Sequence, residues 1–149
     1  MMKERKNLII FSTALIVLIL DQLTKFQIRS TFRANESVPL IKNFLHFTYI
    51  TNTGTAWGLF RGFNIFFIIF SVAVIFAIFY FKKQIKESQK SMQVAFGLLL
   101  GGTLGNFADR IFLGTVTDFI DFRIWPVFNV ADSAISISVV VLVFLMWRE

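Results

Sequence analysis

Residues 101–133 read GGTLGNFADRIFLGTVTDFIDFRIWPVFNVADS, and the arrangement of the whole chain follows from this stretch. It holds four of the nine acidic residues, Asp109, Asp118, Asp121 and Asp132, together with Asn106, Arg110 and Asn129. It spans the junction of two apolar runs, Met92 to Ala108 and Val130 to Trp147, each long enough to cross or nearly cross a bilayer. Ionisable groups at a membrane boundary are costly to place and usually serve function. The stretch is therefore expected to carry the chemistry, with the rest of the chain placing it and building the floor and roof around it.

Composition supports that frame. The 149 residues are enough for one domain, 1–149, and no more. They are 56% hydrophobic and only 16% charged, with 20 Phe and a mean hydropathy of +0.69. A water-soluble domain carries about 25% charged residues, so these values describe a membrane protein. The net charge of +6 sits beside apolar runs rather than along one polar face, which suits membrane topology and not nucleic acid. The absence of cysteine excludes a disulfide framework and a thiolate site. A single histidine, His46, excludes a multi-histidine metal site, and no cofactor is expected.

Four apolar segments predict helices over about 8–28, 63–81, 92–108 and 130–147; for a bilayer that needs roughly 20 apolar residues the second is clear, the others are adequate with their flanks, and the third is marginal on hydropathy alone. The start, Lys3-Glu4-Arg5-Lys6 before Leu8 to Leu20, imitates a secretory leader. It runs into Asp21-Gln22-Leu23-Thr24-Lys25 instead of a small-residue cleavage site, so a retained first helix is expected. In the third segment Gly97, Gly101, Gly102 and Gly105 form two overlapping G-x-x-x-G spacings, which allow close helix approach. A flexible glycine-rich loop is the alternative, opposed by Leu98, Leu99 and Leu100 among the glycines.

Lys3, Arg5 and Lys6, and the linker lysines Lys82, Lys83, Lys86 and Lys90, should face the cytoplasm. Both termini are then inside, and loops 29–62 and 109–127 lie outside with Asp21 and the start of the fourth helix. Within the first of these loops, Val38 to Ile50 is aromatic and β-branched with a Lys42-Asn43 break, predicting two short strands and a turn. Gly114 to Asp118 is also β-prone. The expected architecture is a mainly α membrane protein of four transmembrane helices, with a small extracytoplasmic β-element on the membrane surface.

Peptide hydrolysis by carboxylates alone needs two that share a water, one ionised and one protonated; like charges at close range divide those roles. Asp118 and Asp132 are the candidates, and Asp132, near a helix N-terminus, is expected to have the lower pKa. Each has a structural alternative. Asn129-Val130-Ala131-Asp132 has capping-box spacing, and Asp118 follows a turn-prone segment. Asp21 and Lys25 are spaced for an i, i+4 ion pair. Asp109 and Arg110 read as a helix-end charge pair, with Arg110 alternatively available to a substrate carbonyl or lipid head group. Asp121 and Arg123 read as a solvated pair. Asn52 and Asn106 suit either a peptide backbone or a turn, and His46 reads as packing.

Taken in order, DQLTK (21–25), NTGTAW (52–57), GGTLGNFADR (101–110), VTDF (116–119) and FNVADS (128–133) closely resemble the bacterial lipoprotein signal peptidase family, also called signal peptidase II. The resemblance covers the whole chain. It implies an aspartic endopeptidase of the cytoplasmic membrane, cutting prolipoproteins just before a diacylglyceryl-modified cysteine. Asp118 and Asp132 would be the catalytic pair. Asn52, Asn106, Arg110 and Asn129 would hold substrate or dyad, and Asp21 and Lys25 would support the site. Membrane lipid and the cyclic peptide inhibitor globomycin are the other implied partners. Thr117 stands where the family usually has an aliphatic residue, and the spacer from Asp118 to Phe128 looks short.

Two other classes compete on the residues alone. A small transporter or channel would use the outer carboxylates for cations, but no polar ladder continues toward the cytoplasm. A membrane scaffold would use the glycine face for association and leaves the outer polar cluster unexplained.

Overall fold

The structure is a computed structural model that describes residues 2–54 and 62–148, and side chains from residue 7 onward. Thr55, Ala56, Trp57 and Arg61 lie outside the described residues, as do the side chains of Lys3, Arg5 and Lys6. The order of elements is α1 (Met2–Thr31), β1 (Ser37–Ile41), β2 (Leu45–Asn52), α2 (Asn64–Phe81), α3 (Lys90–Leu113), β3 (Val116–Asp121) and α4 (Val130–Trp147). α1, from Asn7, together with α2 and α4 is long and apolar enough to cross a membrane. α3 is more polar and sits among the other three, packing on α1 and α4 and, less extensively, on α2.

The surface is inverted relative to a soluble bundle. Phe66, Ile69, Phe70 and Phe76 of α2, and Val140, Val143 and Phe144 of α4, point outward and are mostly exposed. The side chains buried most completely include Asp21, Lys25, Gln93, Asp109 and Asn129. Lipid solvates the outer apolar face, so polar groups turn inward. A small apolar cluster of Ile10, Ala14, Ile78, Ile85 and Leu100 fills the bundle at the end away from the site.

The glycine face of α3 is spent within the chain. A Cβ on Gly101 would lie 2.6 Å from the Ala14 carbonyl oxygen of α1, and one on Gly102 would lie 2.6 Å from the Ala131 carbonyl oxygen of α4. Gly97 and Gly105 likewise face α1, at Thr13 and Asp21. Removing the Cβ lets these backbones approach.

Two helices extend beyond their expected limits. α1 continues through Arg29 to Thr31, and α3 continues through Asp109 and Arg110 to Leu113. Arg29, Asp109 and Arg110 are therefore helical, and the outer loops begin later than position 29 or 109. The charges do not end the helices because they face protein rather than lipid.

β1 and β2 form the expected hairpin, turning at Asn43 with φ 62°. β3 then pairs antiparallel with β2, with Ile50 opposite Asp118 and Asn52 opposite Val116, giving a sheet ordered β1-β2-β3. The hairpin tip is apolar and exposed at Leu40, Ile41 and Phe44. Phe44 packs edge-on against Phe122, which in turn stacks on Phe128. Asp121 corrects its sequence reading: it is buried, not solvated. Its Oδ2 accepts from Thr48 Oγ1 at 2.7 Å and pairs with the half-exposed Arg123 at 3.0 Å. The Thr48 hydroxyl lies 2.7 Å from that of Ser37, so one chain of hydrogen bonds crosses all three strands. His46 contacts the Ser37 hydroxyl through Nδ1 at 3.2 Å.

Candidate active site

Asn129 begins α4 with extended backbone, and the capping box suggested by its spacing is present. Its Oδ1 accepts from the Asp132 N–H at 2.9 Å, and its own N–H donates to Asp132 Oδ2 at 3.2 Å. The same side chain turns its Nδ2 to Asp118 Oδ1 at 2.6 Å. A helix cap and a bridge between two carboxylates are thus one residue, and the structural and functional readings of this motif coincide.

Asn106, one turn before the α3 charges, donates from Nδ2 to Asp132 Oδ1 at 2.7 Å. Its Oδ1 accepts from Lys25 Nζ at 2.9 Å and from Asn129 Nδ2 at 3.1 Å. Those two donors leave only one sensible orientation for the amide, with its NH2 toward Asp132. Asn52, at the end of β2, donates from Nδ2 to Asp118 Oδ2 at 2.9 Å. The Gly54 N–H donates to Asn52 Oδ1 at 2.8 Å and orients that amide in turn.

Beneath this layer lies a buried charge cluster. Lys25 Nζ is 2.8 Å from Asp21 Oδ2 and 3.4 Å from Asp109 Oδ2, and Lys25 is fully buried. Asp21 does more than pair: its Oδ1 accepts the Ala131 N–H at 2.9 Å, satisfying a free donor in the first turn of α4 from another helix. Asp109 and Arg110, adjacent in sequence, diverge. Asp109 turns inward, while Arg110 lines the cavity with its guanidinium 5.0 Å above the Phe67 ring.

Asp118, Asp132, Asn52, Asn106 and Arg110 all line one cavity of about 640 Å³. Its walls are apolar: Phe67 of α2, Ile135 and Ile137 of α4, and Phe122, Trp125, Val127 and Phe128 from the segment after β3. Volume and lining fit a site for an apolar ligand held by a few polar groups. Burial pushes the Asp118 carboxyl up to about 7, reinforced by the like charge of Asp132; hydrogen bonds from Asn52 and Asn129 work the other way. A carboxyl that is protonated near neutral pH, beside a second one, is suited to acid–base chemistry.

The structure brings every candidate residue to one end of the bundle. The lysine-rich linker and Arg148 lie at the other, where Lys82 reaches Asn7 and a groove joins Lys90 to Arg148. The model for signal peptidase (SPase) II matches residues 13–148. The chain belongs to this family. A lipoprotein signal peptidase of Halothermothrix orenii is 40% identical over 94% of this chain and 96% of its own. One from Moorella thermoacetica is 43% identical over 87% and 86%, and one from Staphylococcus aureus 41% over 91% and 86%. A solved structure described as a bacterial membrane enzyme superposes with TM-score 0.85 at 39% identity, covering 93% of this chain and 87% of its own. A second, similarly described, gives 0.83 over 94% and 93%. Family membership removes the ground for a transporter or a scaffold.

Sequence reasoning names Asp109 as half of a helix-end charge pair and Thr117 as a departure from the family pattern, but gives neither them nor Gln22 a place in the site's polar network. Gln22 Nε2 bridges Asp21 Oδ2, the Gly105 carbonyl and Asp109 Oδ1, each at 3.1 Å. The available signal was the helical face shared by Gln22, Lys25 and Arg29 on α1, whose donors need acceptors on a neighbouring helix.

Proposed function

We propose that this chain removes signal peptides from diacylglyceryl-modified prolipoproteins, cutting before the lipidated cysteine with Asp118 and Asp132. One observation carries this reading: Asn129 joins the two carboxylates at the wall of a single cavity. In the resting pair Asp118 keeps the proton and Asp132 is ionised, supported by donors from Asn106 and Asn129 and by the first turn of α4. Asp132 takes a proton from water as its oxygen attacks the scissile carbonyl, which Asp118 polarises by hydrogen bonding. A C–O bond forms, the carbonyl π pair moves to oxygen, and Asp118 transfers its proton to that oxygen. Collapse breaks the C–N bond, with Asp132 returning its proton to the departing amine and Asp118 regaining one from the hydroxyl.

Arg110 and Asn52, which line the cavity beside the carboxylates, would hold the peptide carbonyls. The apolar wall of Phe67, Ile135 and Ile137 continues from the carboxylates along α2 and α4, where diacylglycerol chains would lie. The exposed apolar hairpin tip, with Ile124 and Trp125, would rest in the outer leaflet of the cytoplasmic membrane. Both termini would face the cytoplasm. Globomycin, a cyclic peptide, would occupy the same cavity.

Asp118→Asn and Asp132→Asn test the dyad in a purified, membrane-inserted protein supplied with a lipidated reporter. Each should abolish cleavage while the helices form and the protein stays monodisperse in detergent. Cleavage at the wild-type rate in either variant would end the proposal.

A further inference from the structure

Thr117, immediately before Asp118, is buried, and three of its polar atoms are tied to three different elements. Its N–H donates to Asp109 Oδ2 on α3 at 2.9 Å. Its carbonyl accepts from Asn129 Nδ2, at the start of α4, at 3.3 Å. Its hydroxyl accepts from Arg29 NH1, in the last turn of α1, at 3.0 Å. Successive strand residues face opposite sides, so the Thr117 hydroxyl meets Arg29 on the face of β3 away from the one on which Asp118 reaches the cavity, while the two backbone contacts hold the strand itself.

Arg29 is itself held in place. Its NH1 lies 3.8 Å from Asp109 Oδ1, and its side chain is only 25% exposed although it stands near a helix end. Asp109, 1% exposed, gathers Gln22, Lys25, Arg29 and the Thr117 N–H around its two oxygens. The guanidinium therefore bridges a fixed carboxylate on α3 and the hydroxyl next to the proposed acid. Both contacts are made by the one nitrogen, NH1, of a group that stays charged at all relevant pH.

We propose that Arg29 and Thr117 are a positioning pair, setting the depth of Asp118 in the cavity from α1 and acting through β3 rather than on substrate. The proposal rests on Asp118 being a catalytic residue. It asks little of overall folding, because the Asp109 contact to the Thr117 backbone survives any side-chain change at 117. Reacting groups are sensitive to placement: a shift of about 1 Å can cost roughly 100-fold in rate, and a lost second contact should produce part of that.

The test uses the full chain in detergent with a lipidated reporter. Thr117→Val keeps the shape and removes the acceptor; Thr117→Ser restores it. Thr117→Val should lower kcat by about 10-fold with KM unchanged, the signature of a transition-state placement defect. Thr117→Ser should stay within about 2-fold of wild type. Arg29→Met removes the Asp109 contact as well, so it should lower kcat at least as much as Thr117→Val, and the double variant should be no worse than Arg29→Met, since the contact between 29 and 117 can be lost only once. Unchanged kcat in Thr117→Val, a Thr117→Ser as impaired as the valine variant, or fully additive losses would each overturn the pair. Asp118→Asn, run alongside, separates the two levels: its inactivity with a normal Thr117→Val refutes only the pair, whereas its full activity refutes the dyad.

Discussion

Asn129 Nδ2 stands 2.6 Å from Asp118 Oδ1, the shortest link between the start of α4 and strand β3. Because Asn129 is also the N-cap of α4, its two duties can be separated by substitution. Asn129→Ser keeps a capping oxygen but cannot reach across to Asp118. It should retain stability within about 0.5 kcal/mol, whereas Asn129→Ala should lose about 1 kcal/mol with the cap. Both should lose most of their activity. Thermal unfolding and reporter cleavage, measured on the same detergent preparations, distinguish the outcomes; a fully active serine variant would show that the cap alone matters.

Two aspartates on one strand should respond to pH with opposite sign. The folded pKa of Asp118, about 7, lies above its unfolded value of about 4, so the native state binds the extra proton between them. Stability from this group is full below about pH 4 and lost as pH rises through about 7. Asp121 runs the other way. Burial opposes its charge, but hydrogen bonds from Thr48 and Arg123 outweigh that and hold its pKa below the usual carboxylate value. Its contribution is present above about pH 4 and lost as pH falls further. Asp118→Asn should therefore flatten the decline in Tm toward neutral pH, and Asp121→Asn should flatten the loss on the acid side. In wild-type protein kcat/KM should fall on the alkaline side with a midpoint near pH 7, reported by the pair as a whole.

How far the sequence reveals this design depends on the range of each interaction. Helices, hairpin, glycine seam and capping box rest on spacings of two to four residues, and those patterns survive in a one-dimensional reading. Asp109 does not. Beside Arg110 it looks like half of a local pair, yet neighbouring helical residues point about 100° apart, and its partners lie on α1 and β3. Asp121 looks solvated for a similar reason: its burial depends on β3 joining β2, a pairing between segments far apart in the chain. The charges at 109 and 110 also suggest a helix end, because hydropathy cannot distinguish a residue facing lipid from one facing a polar interior.

Lys25 should be the residue whose loss costs most. It is fully buried between Asp21 and Asp109, and Lys25→Met strands Asp21 without its cation and leaves Asp109 only the more distant Arg29 at 3.8 Å. Breaking a buried ion pair from one side costs about 3–5 kcal/mol. Adding Asp21→Asn should recover part of that by removing one orphaned charge, even though it removes a second native side chain. Lys25→Arg should not substitute, since a planar fork cannot converge on Asp21, Asp109 and Asn106 as an ammonium does. Unfolding temperatures of the four proteins decide this: a double variant less stable than Lys25→Met would argue against a stranded-charge origin.

The glycine seam offers a comparison between two neighbouring positions that differ in what lies behind them. Gly101 meets Ala14 in the middle of α1, whereas Gly102 meets the Ala131 carbonyl, one residue before Asp132. In both, an added methyl would press first on a backbone carbonyl that cannot swing away, at 2.6 Å, with Val17 Cβ or Ile135 Cγ1 close beside it. Overpacking of this kind costs about 1–3 kcal/mol, so both alanine variants should unfold earlier by similar amounts. Their catalytic consequences should separate. Gly102→Ala must displace the first turn of α4, carrying Asp132 away from Asn106 and from the Asn129 bridge to Asp118. Gly101→Ala pushes on a segment of α1 a full turn or more before Asp21. Per folded molecule, Gly102→Ala should lose most of its cleavage rate and Gly101→Ala should keep most of it. Equal losses would mean that α1, α3 and α4 move as one block, and that the geometry of the carboxylates depends on the whole bundle rather than on the contact between Gly102 and Ala131.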